Sequence, residues 1–219
     1  MQLTRGRQTQ ILVLLLAFSV VVITVVLIWH KALGKSGSAF TSMRATYVEK
    51  SLGLRVSFPQ SWIVLSASEA AMVTSQGQAA LAESGHDPNE PKIGRPDGKN
   101  RLLTAMNPAT GESFQILKQQ SSVEESRPET AAYDLRSTLL RLLPMQALGP
   151  VELLDAEKPI AHFSGILTVK GSPIYQSIFI AVVKNTAITF VFSGPSDTVL
   201  AESKRSFPQW VSFESAAVR

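Results

Sequence analysis

The residues of this sequence that could do chemistry are few and scattered. The three histidines are His30, His86 and His162, and the chain has no cysteine, which excludes thiolate metal sites and disulfide bonds. His86 opens the one oxygen-rich cluster, whose other members are Asp87, Asn89, Glu90 and Asp97. A calcium loop needs acids at alternating positions, then a glycine turn and a bidentate glutamate. Pro88 and Pro91 break that spacing, so the sequence predicts neither a metal site nor a cofactor site.

The other residues of these types do not form a catalytic motif. His162 shares a predicted strand face with Ser164 and Thr168, which is typical of a solvated or hydrogen-bonded histidine. The Ser-Gly pairs at Ser164 and Ser193 have no base beside them in the sequence, although a triad can assemble in space. No nucleophile elbow, phosphate-binding glycine loop, HExxH helix or dinucleotide fingerprint is present. We therefore assign no catalytic residue, and enzymatic activity stays the less favoured alternative.

The longest apolar segment runs from Ile11 to Trp29, nineteen residues without a charge, a proline or a glycine. As a helix it would span about 28 Å at 1.5 Å per residue, close to the hydrocarbon thickness of a bilayer. It is too long for the apolar core of a secretory signal, and the bulky pair Trp29-His30 follows it. The sequence thus predicts a transmembrane signal anchor over 11–29, with an N-terminal tail over 1–10 and a flexible linker over 30–44.

The basic charge of the chain belongs to the flanks of this segment. Five positive residues and no acid surround it, namely Arg5, Arg7, Lys31, Lys35 and Arg44. From Ala45 onward, 16 Lys and Arg residues stand against 17 Asp and Glu residues, so the soluble part lacks the basic patch that nucleic acid requires. The flanking charges do not fix the orientation. We expect the short tail in the cytoplasm and the domain on the non-cytoplasmic side, which is the periplasm if the cell is bacterial.

Residues 45–219 are predicted to form one α+β domain, a predominantly antiparallel sheet flanked by helices. Alternating Leu54, Val56 and Phe58 indicate a strand, and the following FPQSW sequence indicates a hairpin or a tight corner. The Ala-rich segment 66–84 is expected to be helical in part, and the Pro- and Gly-rich segment 86–100 to be a loop. A second hairpin is predicted from two strands, Arg101–Asn107 and Ser113–Lys118, joined by Pro108–Gly111.

The rest of the domain shows a helix, four strands and a last helix. A capping box from Ser126 to Glu129 predicts a helix that runs to about Leu143, and its apolar stripe comprises Ala132, Leu135, Leu139, Leu142 and Leu143. The four strands are predicted at Pro150–Leu154, Ile160–Val169, Ile174–Val183 and Ala187–Phe192. The third is apolar on both faces, which is typical of a central strand, and the short turns indicate antiparallel pairing. A final helix starting near Gly194 is expected to pack Val199, Leu200, Phe207 and Trp210 on the sheet.

This arrangement resembles the PsbP-like (Mog-type) α/β family, which includes photosystem II extrinsic proteins and bacterial membrane-attached relatives. The resemblance rests on the FPQSW corner with Phe58, Pro59 and Trp62, and on the late hairpin followed by a helix that ends at Ser206-Phe207. The sequence departs from the family pattern where Ser61 replaces the usual glycine, and in its extra Pro-rich loop. The resemblance implies an antiparallel sheet with helices on its faces and a role in protein binding or assembly. It carries over no functional residue.

Three functional hypotheses follow. The first is a single-pass membrane protein, held in the lipid bilayer by residues 11–29, whose domain binds another envelope or membrane protein. The second is a small-ligand-binding or hydrolytic domain with a site near the 86–100 loop, for which a pocket holding His86 or His162 beside a carboxylate is the expected sign. The third is a structural subunit with an exposed apolar patch. The sequence alone identifies no partner and no ligand.

Overall fold

The fold is built on a seven-stranded antiparallel sheet with strand order β3-β4-β5-β9-β8-β7-β6. The computed structural model describes residues 46–66, 68–71, 100–120, 127–154, 158–169 and 171–214. The predicted tail, signal anchor and linker, and the 86–100 loop apart from Asn100, lie outside these residues. None of the described helices has the length and apolar character needed to cross a membrane.

The described elements follow one another along the chain as strands with two longer helices between them. The strands are β1 (Thr46–Glu49), β2 (Leu54–Ser57), β3 (Ile63–Val64), β4 (Arg101–Asn107), β5 (Glu112–Gln120), β6 (Met145–Leu154), β7 (Ile160–Val169), β8 (Ser172–Val183), β9 (Thr186–Gly194) and β10 (Val211–Phe213). The helices are α1 (Pro128–Leu142) and α2 (Thr198–Trp210). Strands β1, β2 and β10 form a separate three-stranded sheet in the order β1-β2-β10.

Strand β8 lies in the interior of the large sheet, between β9 and β7, as its apolar pattern predicts. Its even-numbered residues Ile174, Ile178 and Ile180 face the helix α1, whereas Phe179 and Ala181 face the opposite side. Successive side chains of a strand point to opposite faces, so a strand covered on both faces must be apolar on both. The predicted α+β class with an antiparallel sheet and flanking helices is confirmed for this part of the chain.

Helix α1 covers one face of the sheet with an aliphatic stripe. Ala132, Leu135 and Leu139 are buried, and Leu142 and Leu143 pack against the same cluster, as the sequence predicts. The predicted capping box is wrong, because the N-cap residue is Arg127 rather than Ser126 and no side chain caps the helix. Phe163 is the one aromatic residue among the buried members of this cluster.

Helix α2 and the small sheet cover the other face over a layer of aromatic rings. The buried aromatic residues of this cluster are Phe58, Trp62, Phe114, Phe179, Phe190, Phe192 and Phe207. Phe207 of α2 stacks on Phe179 of β8 at 4.2 Å between ring centroids. The helix continues past Phe207 through Pro208 to Trp210, so Trp210 also reaches the aromatic layer.

The FPQSW segment is a corner, which is one of its two predicted forms, since β2 before it and β3 after it belong to different sheets. Two other features differ from the sequence predictions. Strand β6 begins at Met145, before the predicted start at Pro150, because Met145 pairs with Leu167 of β7. Its side chain covers Gly165, where a Cβ atom would overlap it. The short strands β1 and β10 are not predicted at all, since they are defined by their pairing with β2.

Candidate binding site

A cleft of about 200 Å³ opens between α2 and the turn that joins β4 to β5. Its aromatic wall consists of Trp62, Trp210 and Phe192, and its polar wall includes Asn107, Glu112 and Glu202. The wall is therefore assembled from the corner, the β4–β5 hairpin, β9 and α2, which are distant in the sequence. Such a mixture of apolar surface and a few convergent polar groups is typical of a binding site.

The two tryptophans reach the cleft because of how the FPQSW corner and the end of α2 are folded. The backbone N–H of Trp62 donates to the carbonyl oxygen of Pro59 at 3.0 Å, which closes the corner and turns the indole inward. Trp210 is the last residue of α2, and the next residue, Val211, pairs with Val56 in the small sheet. The two indole rings meet edge to face, with 5.1 Å between centroids and an interplanar angle of 74°.

The carboxyl group of Glu112 is half-buried at the start of β5. Gly111 precedes it with a φ of +73°, a left-handed conformation that glycine adopts without strain. The hydroxyl of Thr110 donates to Glu112 Oε2 at 2.9 Å. Burial raises the pKa of Glu112, the hydrogen bond from Thr110 opposes this effect, and the negative charge of Glu202 raises the pKa further. No basic residue is among the causes that shift this pKa within the described part of the chain.

Asn107 contributes a buried amide to the same cleft. Its side chain is 8 % exposed. Its Oδ1 atom accepts a hydrogen bond from the backbone N–H of Ala109 at 3.1 Å. Its NH₂ group has no hydrogen-bond partner within the described part of the chain. The NH₂ nitrogen is not one of the buried side-chain atoms that lack a partner in the described structure, so it carries no penalty of unpaired burial.

These groups favour binding over catalysis. The cleft offers two carboxylates, two indole rings and an amide, and no histidine, lysine or arginine is among its lining residues in the described structure. Carboxylates attract a cation, and the face of an indole ring attracts one too. Thr110, Ser203 and Ser206 add three hydroxyl groups to the lining, and no imidazole or amine is among the lining residues of the described structure to activate them.

His162, the histidine that the sequence places on a strand face, lies on the α2 side of the sheet away from this cleft. Its Nε2 atom is 2.7 Å from Ser177 Oγ, and its ring packs on Phe179 at 4.6 Å between centroids. Glu152 on β6 is 3.9 Å from its Nδ1 atom and forms a salt bridge of 2.7 Å with Lys204 of α2. The hydrogen-bonded alternative for His162 is therefore the correct one.

The serine, the histidine and the glutamate do not form a hydrolytic site. Ser177 is fully buried, with 0 % of its surface exposed, so a substrate cannot reach its hydroxyl group. The distance of 3.9 Å from Glu152 to Nδ1 is too long for the hydrogen bond that orients a catalytic imidazole. Burial is the main cause that lowers the pKa of His162. The charge of Lys204 acts in the same direction and that of Glu152 opposes it, and together they bring the pKa to about 4. His162 is a neutral core residue at pH 7.

The remaining sequence candidates are not gathered into one place. His30 and the cluster from His86 to Asp97 lie outside the described residues, and so their prediction is untested. Ser164 lies 3.4 Å from His162, and Ser193 accepts a hydrogen bond from Gln176. Within the described ranges, no group of three or more His, Cys, Asp or Glu residues could hold a metal ion.

The sequence predicted Trp62 and Trp210 as aromatic residues packed in the core, but it indicated neither the cleft nor its acidic residues. Trp62 and Trp210 carry a signal, since the corner and the last helix both predict buried aromatic residues. Glu112 and Glu202 carry no such signal, because each of them, taken by itself, has the pattern of a solvated acid at a turn or on a helix. Only the tertiary fold brings the β4–β5 turn next to α2.

Comparison with known proteins identifies the fold. No protein-family model matches this chain, and no curated protein matches it significantly. The solution structure of cyanobacterial PsbP (CyanoP) from Synechocystis is similar over 84 % of this chain and 99 % of its own, with a TM-score of 0.52 and 11 % identity. The described domain has a PsbP-like fold. The resemblance drawn from the FPQSW corner and the late hairpin is thereby confirmed at the level of the fold.

Two further solved structures are similar at lower scores. The Ran-binding protein Mog1p of Saccharomyces cerevisiae matches over 76 % of this chain and 84 % of its own, with 10 % identity and a TM-score of 0.42. LpqN of Mycobacterium tuberculosis, described as involved in cell envelope biogenesis, matches over 74 % of this chain and 83 % of its own, with 8 % identity and a TM-score of 0.44. At such identities a likeness speaks for the fold and not for a shared activity.

Proposed function

We propose that this chain is a single-pass membrane protein whose PsbP-like domain binds another envelope or membrane protein through the cleft between α2 and the β4–β5 turn. The observation that carries the proposal is the cleft itself, which Glu112 and Glu202 line together with Trp62 and Trp210. Tryptophan is enriched among the residues that dominate binding energy at protein interfaces, and the two glutamates add charge to the same cleft.

The position of the first strand supports this proposal. Thr46 of β1 pairs with Ser57, and the ring of the next residue, Phe58, lies 5.9 Å from Trp210. The chain therefore enters the domain next to the aromatic wall of the cleft. A linker that leads from a membrane anchor to Thr46 would keep the cleft near a partner in or beside the same membrane.

The hydrolytic alternative has weaker support. His162 and Ser177 are close together, but both are buried and the cleft does not include them. The other half of that alternative, a site around residues 86–100, stays a prediction. The structural-subunit hypothesis would be favoured by oligomers of the full chain in detergent.

Crosslinking in cells followed by affinity purification tests the proposal. The full-length chain, a version with residues 11–29 replaced by an unrelated transmembrane helix, and the double variant Glu112→Gln, Glu202→Gln are compared. The matched control is Glu129→Gln, which changes a glutamate at the start of α1 on the other side of the sheet.

We expect the same partner with the native chain, the helix-swapped chain and the Glu129→Gln control, and loss of that partner with the double variant. Retention of the partner by the double variant would overturn the assignment to the cleft. Loss of the partner on helix replacement alone would move the interface to the membrane segment.

A further inference from the structure

We infer that the cleft receives a basic side chain, arginine or lysine, presented by a polypeptide segment of the partner. This inference rests on the proposed function, since it states which chemistry of the partner the cleft recognises. It follows from four properties of the cleft: its charge, its aromatic wall, its amide donor and its size.

The charge of the cleft is unbalanced. Glu112 and Glu202 both line it, and no basic residue lines it in the described part of the chain. Lys204 of α2 forms a salt bridge of 2.7 Å with Glu152. The raised pKa of Glu112 has burial as its main cause, with the charge of Glu202 as a further one. A cation placed beside Glu112 would relieve both effects.

The indole rings suit the same cation. Trp62 and Trp210 meet edge to face at 5.1 Å, so the edge of one ring covers only part of the other. The negative face of a tryptophan ring attracts a guanidinium or ammonium group, more strongly when the site is partly desolvated. Trp62 is 5 % exposed and stacked on Phe58, so the partly exposed Trp210 is the ring that can offer a face to the cation.

The amide of Asn107 distinguishes a polypeptide from a free cation. Its NH₂ group is a donor, which a cation does not need but a backbone carbonyl oxygen does. Asn107 is buried and lines the cleft together with the two glutamates. A basic residue within a polypeptide provides both the cation and a carbonyl oxygen one side-chain length away.

The size of the cleft limits the ligand to one side chain. Its volume of about 200 Å³ is smaller than the roughly 300–1,000 Å³ of sites that enclose drug-sized ligands. The head of an arginine or lysine side chain is of suitable size, whereas a whole nucleotide or cofactor is not. The rest of the partner segment would lie on the surface around the mouth of the cleft.

Titration of the full-length chain in detergent micelles with N-acetyl-arginine methylamide tests this inference. The chain carries Trp29→Phe, so that the ¹⁵N-labelled indole signals come from Trp62 and Trp210 alone. N-acetyl-citrulline methylamide has the same shape without the charge and serves as the matched probe. We expect both indole signals to shift saturably with the arginine probe, at an affinity about tenfold or more above that for citrulline.

Two variants locate the binding. The double variant Glu112→Gln, Glu202→Gln should lower the affinity for the arginine probe about tenfold, and Glu129→Gln should leave it unchanged. If the double variant does not fold, Glu202→Lys replaces it, because Glu202 lies on the exposed surface of α2 and a lysine there would occupy the cleft. Equal binding of arginine and citrulline, or binding unaffected by these variants, would overturn the inference.

The result is separable from the test of the proposed function. If the crosslinked partner is lost with the double variant but the arginine probe does not bind, the cleft is an interface of other chemistry and only the inference fails. If the arginine probe binds and no partner is captured from cells, the inference stands and the proposed protein-binding function fails.

Discussion

The two faces of the large sheet are filled by different chemistry. Beneath α1 the buried side chains are almost all aliphatic, with Phe163 as the one ring, whereas beneath α2 seven buried aromatic residues pack together. Aromatic pairs prefer edge-to-face or offset-stacked arrangements, and Trp62 and Trp210 meet edge to face. The cleft lies in the aromatic layer, beside the Trp62–Trp210 contact.

This difference suggests a division of labour. The aliphatic α1 face contributes to stability, while the α2 face contributes to stability and also holds the candidate binding site. Substitutions that act on one face and not on the other therefore test the comparison.

Removal of Trp62 should cause the largest loss of stability. Trp62 is 5 % exposed and contacts Phe58 and Trp210, so Trp62→Ala leaves a cavity in the aromatic layer. We expect a decrease in the free energy of unfolding of about 3–5 kcal/mol, measured by urea denaturation. Tyr133→Ala, at a residue that is 55 % exposed, is the control and should change little. An unchanged midpoint for Trp62→Ala would place Trp62 outside the core.

Removal of an aliphatic residue on the other face should destabilise without touching the cleft. Leu139 is a residue of α1 and is fully buried against the sheet. Leu139→Ala should lower the free energy of unfolding by about 2–5 kcal/mol, and by less within this range if the helix relaxes into the cavity. Binding of the arginine probe should be the same as in the native chain at a temperature where both are folded. Reduced probe affinity would show that the two faces are coupled.

Acid should destabilise the α2 face through His162. The unfolded chain binds this proton below about pH 6.5, but the folded chain binds it only below about pH 4, because burial holds the pKa of His162 down. Stability present above pH 6.5 is thus lost as the pH falls through this window, by about 3 kcal/mol for this residue. His162→Gln should show a shallower decrease in unfolding free energy between pH 7 and pH 4.5 than the native chain, whereas parallel curves would contradict this assignment.

Neutralising Glu112 should stabilise the free protein slightly. Its pKa is raised by burial and by Glu202, so the ionised group disfavours the folded state at neutral pH. The melting temperature of Glu112→Gln at pH 7 should exceed that of the native chain by a small margin, and the difference should vanish as the pH falls and the native carboxyl takes up a proton. A lower melting temperature would mean that Glu112 already has a stabilising partner.

The regular parts of the fold were predictable from the sequence because local patterns determine them. The sequence predicts β7 over Ile160–Val169, which are its observed bounds, and the two apolar faces of β8 predict its central position. The Leu and Ala stripe of α1 gives the face that packs. In each case a period of 2.0 or 3.6 residues is visible within one element.

The parts that the sequence did not predict depend on contacts between distant segments. Strand β10 has only three residues and forms because α2 ends beside β2. The cap of α1 is assigned one residue too early, which is the usual precision of such boundaries. Glu112 and Glu202 line the same cleft only because the β4–β5 turn packs next to α2. No sequence pattern within either element predicts that these two residues lie in one place.

The central claim is that a partner docks a basic residue in the cleft on the α2 face. The most direct measurement places a photoreactive amino acid at Ser206, which lines the cleft, or at Tyr133, on the exposed side of α1, and maps the crosslinks formed in cells. The account predicts a crosslink from position 206 to one partner, beside a lysine or arginine of that partner, and no such product from position 133. The same partner crosslinked from position 133 and not from position 206 would contradict it.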